Sequence, residues 1–208
     1  MQVIEFGSDF ANVVLLQAVE SHDLNALPKE IEYIKEKTTV DFKLIAFKVD
    51  DWNTDLSPWT APAVYGHAFG QDAQKTLNAI LTYTKDKSKT YILGGYSLAG
   101  LFSLWASYRT DAFSGIATAS PSIWFPDFLS YMQENDIKTD AVYLSLGDKE
   151  NKSKNKLLST VAEKITDAKN ILDKRGVVNY FEWNQGNHFT EPDIRTAKAF
   201  AWVINNLK

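Results

Sequence analysis

The chain has 208 residues, 45% of them hydrophobic and 23% charged, which suits a single globular domain with a sizeable core and argues against disorder. It contains no cysteine, so disulfides, thiolate metal sites and a cysteine nucleophile are excluded, as expected in a reducing compartment. A formal net charge of −4 with no basic stripe gives nothing to meet the phosphates of a nucleic acid.

The first twenty residues, MQVIEFGSDFANVVLLQAVE, lack the basic start, long apolar run and small-residue cleavage site of a secretory signal. No apolar stretch reaches the roughly 20 residues needed to span a membrane. A soluble, cytoplasmic protein is therefore expected.

Short apolar runs alternate with segments of helical period. NVVLLQAV (12–19) reads as a buried strand. The segment 23–38 places Leu27, Ile31 and Ile34 on one helical face, with Pro28 marking where the helix proper begins. FKLIAFKV (42–49) is the next strand. A long loop, 50–71, carries Pro58 and Pro62, and a loop of this length in a compact domain is often functional. Residues 73–86 repeat Leu77, Ile80, Leu81 and Thr84 at helical spacing.

TYILGGY (90–96) predicts a strand that runs directly into an apolar helix, 98–109. SGIATAS (114–120) and DAVYLSLG (140–147) are further strands. A helix is predicted over 153–174, stopped by Lys174, Arg175 and Gly176. VVNYFEW (177–183) is the last strand, and 192–207 closes as a helix with proline in its first turn. Strand–helix alternation with apolar strands predicts one α/β domain spanning 1–208. Its six or seven strands form a mostly parallel sheet with helices on both faces.

Gly95-Tyr96-Ser97-Leu98-Ala99 fits the nucleophile elbow G-x-S-x-G, with alanine in the fifth position. Such a turn between strand and helix holds the serine in a strained conformation, and small residues on either side let the strand and helix approach. It also aims the Leu98 N–H at a developing oxyanion beside the positive end of the helix.

A serine hydroxyl needs a base, and the base needs an orienting acid. The elbow goes with the chain order serine, acid, histidine. Of His22, His67 and His188, only His188 follows Ser97, and it lies between the last strand and the last helix. The acid is expected in GDKE after the strand 140–147. Asp148 and Glu150 both fit; Glu150 is preferred because it lies deeper in the turn and has the longer reach.

Three aromatic residues, Trp52, Trp59 and Trp124, fall in loops beyond strand C-terminal ends, where such sheets bind ligands. With Asp51 they are expected to border a substrate pocket for an apolar or aromatic group. His22 and His67 read as surface residues. The histidines are scattered and no carboxylate cluster has ligand spacing, so no metal is expected. No Gly-rich phosphate loop is present either, so no cofactor is expected.

With GGYSLAGL, ASPSIWF, LSLGDKE and NQGNHF in this order, the chain resembles the esterase D-like and enterochelin esterase-like branch of the α/β-hydrolases, from about residue 12 onward. The resemblance implies a single-domain α/β-hydrolase without a large lid. It implies a serine esterase in which Ser97 is the nucleophile, His188 the base and Glu150 the acid, acting on a small-molecule ester. It also implies a second oxyanion donor after the strand 12–19, at the Val19 N–H, with Glu20 next in line and bordering the pocket. The same residues would serve an acyltransferase. A non-catalytic binding protein on this fold is the remaining alternative. The oligomeric state and the particular ester are not legible.

Overall fold

The computed structural model describes residues 1–64 and 66–207. Seven strands form one sheet in the order β1-β3-β2-β4-β5-β6-β7. They are β1 (Gln2–Gly7), β2 (Val13–Val19), β3 (Phe42–Lys48), β4 (Thr90–Tyr96), β5 (Gly115–Ala119), β6 (Ala141–Gly147) and β7 (Val178–Asn184). All pairings are parallel except β1 with β3. The central strands are buried along nearly their whole length because helices cover both faces, which explains their apolar runs.

Helices α1 (Leu27–Lys37) and α7 (Pro192–Asn206) cover one face, packing Leu27, Ile34, Phe200 and Val203 on Leu15, Ile92 and Tyr143. The other face carries α2 (Trp52–Asp55), α3 (Ala73–Leu81), α4 (Leu98–Arg109), α5 (Phe128–Glu134) and α6 (Val161–Lys174). Helix α4 is buried from Leu98 to Tyr108 and sits against β4 and β5, so it is apolar all round rather than striped. Among the described residues no helix is long and apolar enough to cross a membrane.

Four elements depart from the periodicity. The edge strand β1 is half exposed, and QVIEFG lacks the apolar run of a central strand. Helix α5 is only 7 residues long, too short for a period to show. Helix α3 ends at Leu81 because Thr82 and Thr84 turn their hydroxyls onto the carbonyls of Ala79 and Leu81, ending in tight three-residue turns. Helix α6 starts at Val161, not 153. The Asn155 side chain accepts from the Leu157 and Leu158 N–H groups and holds that stretch out of the helix, which is preceded by single 3-10 turns.

The chain leaves β2 toward β3 on one side and returns at β4 on the other. The strand order thus reverses between β2 and β4, and a crevice opens beyond their C-terminal ends.

Candidate active site

Ser97 stands at that crevice, between β4 and α4, with φ 56° and ψ −119°. This is left-handed territory that a serine occupies only under constraint from its surroundings. Its N–H donates to the Ala119 carbonyl at 3.1 Å, and its own carbonyl accepts from Ser122 N–H at 3.0 Å. The turn is tight: a Cβ on Gly95 would lie 2.6 Å from the Ala99 Cβ. Alanine thus fits at 99 because glycine stands at 95. Leu98 opens α4, so its N–H has no helical acceptor, and it lines the crevice next to the serine.

The loop after β7 carries His188 over the sheet edge. Its Nε2 lies 2.9 Å from Ser97 Oγ and its Nδ1 lies 2.7 Å from Glu150 Oε2. An ionised carboxylate only accepts, so Nδ1 bears the proton and Nε2 is left to take one from the serine. The Ser122 hydroxyl approaches Ser97 Oγ at 3.3 Å from the other side.

Glu150 is 8% exposed, at the turn after β6. Burial pushes its carboxyl up; the His188 hydrogen bond and charge, with the Gly147 N–H and Ser120 hydroxyl donating to Oε1 at 2.7 and 2.8 Å, outweigh that and hold it below the ordinary range. The fit is close, since a Cβ on Gly147 would stand 2.9 Å from Oε1. Asp148 faces outward. Its Oδ1 accepts from Gly186 N–H at 2.8 Å, tying the β6 turn to the histidine loop.

Arg195 of α7 lies behind Glu150 and is 1% exposed. Its Nη1 is 3.0 Å from Glu150 Oε1 and 3.2 Å from both Tyr96 Oη and Ser120 Oγ; its Nη2 donates to the Gln185 carbonyl at 3.1 Å. Tyr96 in turn donates to the His188 carbonyl at 2.6 Å. Burial pushes the Tyr96 hydroxyl up to about 12, so it remains a donor at any ordinary pH.

The crevice is a cavity of about 860 Å³. Ser97, Leu98, Ser122, Glu150 and His188 line one wall. Trp52, Phe69, Trp124 and Phe189 supply an aromatic lining, while Glu20, Lys149 and Lys152 add charge. Phe189 is 83% exposed beside His188.

The structure does not bring every expected residue here. Val19, the last residue of β2, is fully buried and is not among the residues that line the cavity. Glu20 does, but its N–H donates to Asp23 Oδ2 at 2.8 Å. Asp51 also stays out of the cavity. Its carboxylate caps α2 at Thr54 N–H and bonds His67 Nε2 at 3.1 Å. Trp59 packs on Phe125, Phe128 and Tyr131 and donates to the Pro126 carbonyl, a core role. His22 lies on the surface beside Glu20 and Asp23.

Sequence reasoning passed over Ser120, Ser122, Tyr96 and Arg195. For Arg195 a signal existed: it falls at i−4 and i−8 from Ala199 and Val203, on the buried face of α7, where an arginine needs a partner.

No family model and no curated relative matches this chain. Solved structures do match. A siderophore hydrolase, EstA, from Aspergillus nidulans superposes with a TM-score of 0.65 at 17% identity, over 94% of this chain and 83% of the other. A ferulic acid esterase gives 0.63 at 11% identity over 98% and 97%. The capsule O-acetyltransferase of Neisseria meningitidis serogroup A gives 0.60 at 13% identity over 98% and 91%. This is the α/β-hydrolase fold. In the α/β-hydrolase frame, the ends of β4, β6 and β7 here carry Ser97, Glu150 and His188 to one edge.

Proposed function

We propose that this chain is a serine hydrolase of carboxylic esters working through an acyl-enzyme. The observation that carries this reading is the continuous chain Ser97 Oγ–His188 Nε2 at 2.9 Å and His188 Nδ1–Glu150 Oε2 at 2.7 Å. Both links are short enough to pass or orient a proton without rearrangement.

As Ser97 Oγ attacks the ester carbonyl, His188 Nε2 takes the hydroxyl proton. Glu150 keeps the imidazole in the required tautomer and balances the positive charge it acquires. The carbonyl oxygen, now an oxyanion, is held by the Leu98 N–H at the start of α4. His188 returns its proton to the departing alcohol. Water then enters, gives a proton to His188 and releases the acid, restoring Ser97. The aromatic lining of Trp52, Phe69 and Trp124 suits an apolar or aromatic group on the ester.

The test is hydrolysis of a panel of nitrophenyl esters, with fluorophosphonate labelling of the serine. The intact chain is expected to hydrolyse at least one ester and to label at Ser97. Ser97→Ala is expected to lose label and roughly 10⁴-fold or more of turnover while melting at the same temperature. Undiminished hydrolysis by that variant would end the proposal.

Acyl transfer to an alcohol is a second reading, favoured by the likeness to an O-acetyltransferase. It uses the same residues, with the acceptor hydroxyl in place of water. Product analysis with added acceptor alcohols separates the two.

A further inference from the structure

Arg195 is the largest side chain that is fully buried, and nothing in the reaction as described uses it. Taking a guanidinium out of water is costly unless the charge is met, and among the described residues the only carboxylate against it is Glu150, at 3.0 Å. One carboxylate therefore faces two cations in prospect: Arg195 at Oε1, and the imidazolium that His188 becomes at Oε2.

The consequence follows from charge alone. A lone buried carboxylate would favour the protonated imidazole strongly, and a protonated imidazole cannot accept the serine proton. A carboxylate already neutralised by a guanidinium still orients the ring but attracts its proton less. The same guanidinium also reaches the Gln185 carbonyl and Tyr96 Oη, and Tyr96 holds the His188 carbonyl, so the acid and the backbone of the histidine loop share one anchor.

Building on the serine hydrolase reading, we propose that Arg195 is a positioning residue. It pins Glu150 Oε1 so that Oε2 alone faces His188, and its fixed charge offsets the pull of that carboxylate on the imidazole proton.

Other charges around the pair do not supply this. Glu20 from the β2 end, and Lys149 and Lys152 from the β6 turn, line the open cavity, where water screens them. Asp148 is exposed and bonded to Gly186. At the start of α7, Glu191 is exposed and Asp193 is paired with Lys29 at 2.8 Å. From β4, only Tyr96 faces the pair, as a neutral hydroxyl.

The experiment is the pH profile of kcat/KM for the intact chain, Arg195→Met, Arg195→Lys and Arg195→Gln, with fluorophosphonate labelling in parallel. The acid limb of Arg195→Met is expected to move up by about one pH unit, losing roughly tenfold on that limb. Arg195→Lys keeps the charge but not the planar fork, so its limb should stay in place while kcat falls by about tenfold. KM should change less than about twofold in both. Arg195→Gln, neutral yet able to hydrogen-bond, gives the same limb reading if the apolar variant does not fold. An unmoved limb in the neutral variants, or a loss carried by KM, overturns the proposal while leaving the hydrolase reading intact. An intact chain that neither hydrolyses nor labels overturns both.

Discussion

At the scale of single residues, the site separates two carboxylates that lie two positions apart. Glu150 is buried and bonded to His188; Asp148 is exposed and bonded to a backbone N–H. Glu150→Gln leaves the buried Arg195 charge unmet and should melt lower; in the folded variant the wrong tautomer is oriented, with kcat expected to fall by about 10³–10⁴-fold. Asp148→Asn should cost no more than a few-fold, by loosening the histidine loop. Steady-state kinetics on one ester distinguishes them, and equal losses would contradict the assignment. That Ser97 and His188 would meet was legible because the elbow is a local pattern and only one of three histidines follows it in the chain. Arg195 was passed over although its spacing from Ala199 and Val203 puts it on the apolar face of the helix, because nothing in the sequence names the partner that such an arginine needs. Of Val19 and Glu20, only Glu20 lines the crevice, since the sheet keeps its last residue buried and the next one turns outward.

At the scale of elements, the strand-to-helix turn depends on close approach rather than on adhesion. A methyl group at Gly95 would meet the Ala99 Cβ at 2.6 Å and Ala99 carbonyl carbon at 2.9 Å, both on the rigid first turn of α4. Gly95→Ala is therefore expected to destabilise by about 1–3 kcal/mol in urea unfolding, and to lower activity further by shifting the serine. A wild-type midpoint would show that the turn has slack. The buried strands and long helices were legible from apolar runs and periods. Strand β1, helix α5 and the start of α6 were not. An edge strand is half wet, a 7-residue helix shows no period, and the Asn155 side chain overrides the repeat that follows it. Asp51 misled for a related reason: α2 is one turn long, so its cap was invisible in the sequence.

At the scale of the whole molecule, stability carries a pH signature unrelated to the site. Glu30 of α1 is buried against Gln17 of β2; burial pushes its carboxyl up to about 8, the Gln17 hydrogen bond opposing only in part. One oxygen of each side chain lacks a partner. Between the unfolded value of 4.5 and about 8, the folded chain holds a proton that the unfolded chain has lost. Glu30 therefore favours folding fully below 4.5, and that contribution drains away as the pH climbs to 8. The melting temperature should fall across this window, and Glu30→Gln should flatten the decline and melt several degrees higher at pH 8. A variant that melts lower at pH 8 would contradict this.

The network behind Glu150 also ties the site to the docking of α7. Ser97 and Glu150 leave the ribosome well before α7, yet the guanidinium that anchors the acid and the histidine loop belongs to that last helix. Until α7 docks on the sheet, Glu150 and the histidine loop lack the guanidinium that they share, so the geometry around Ser97 is completed only by the chain's final element.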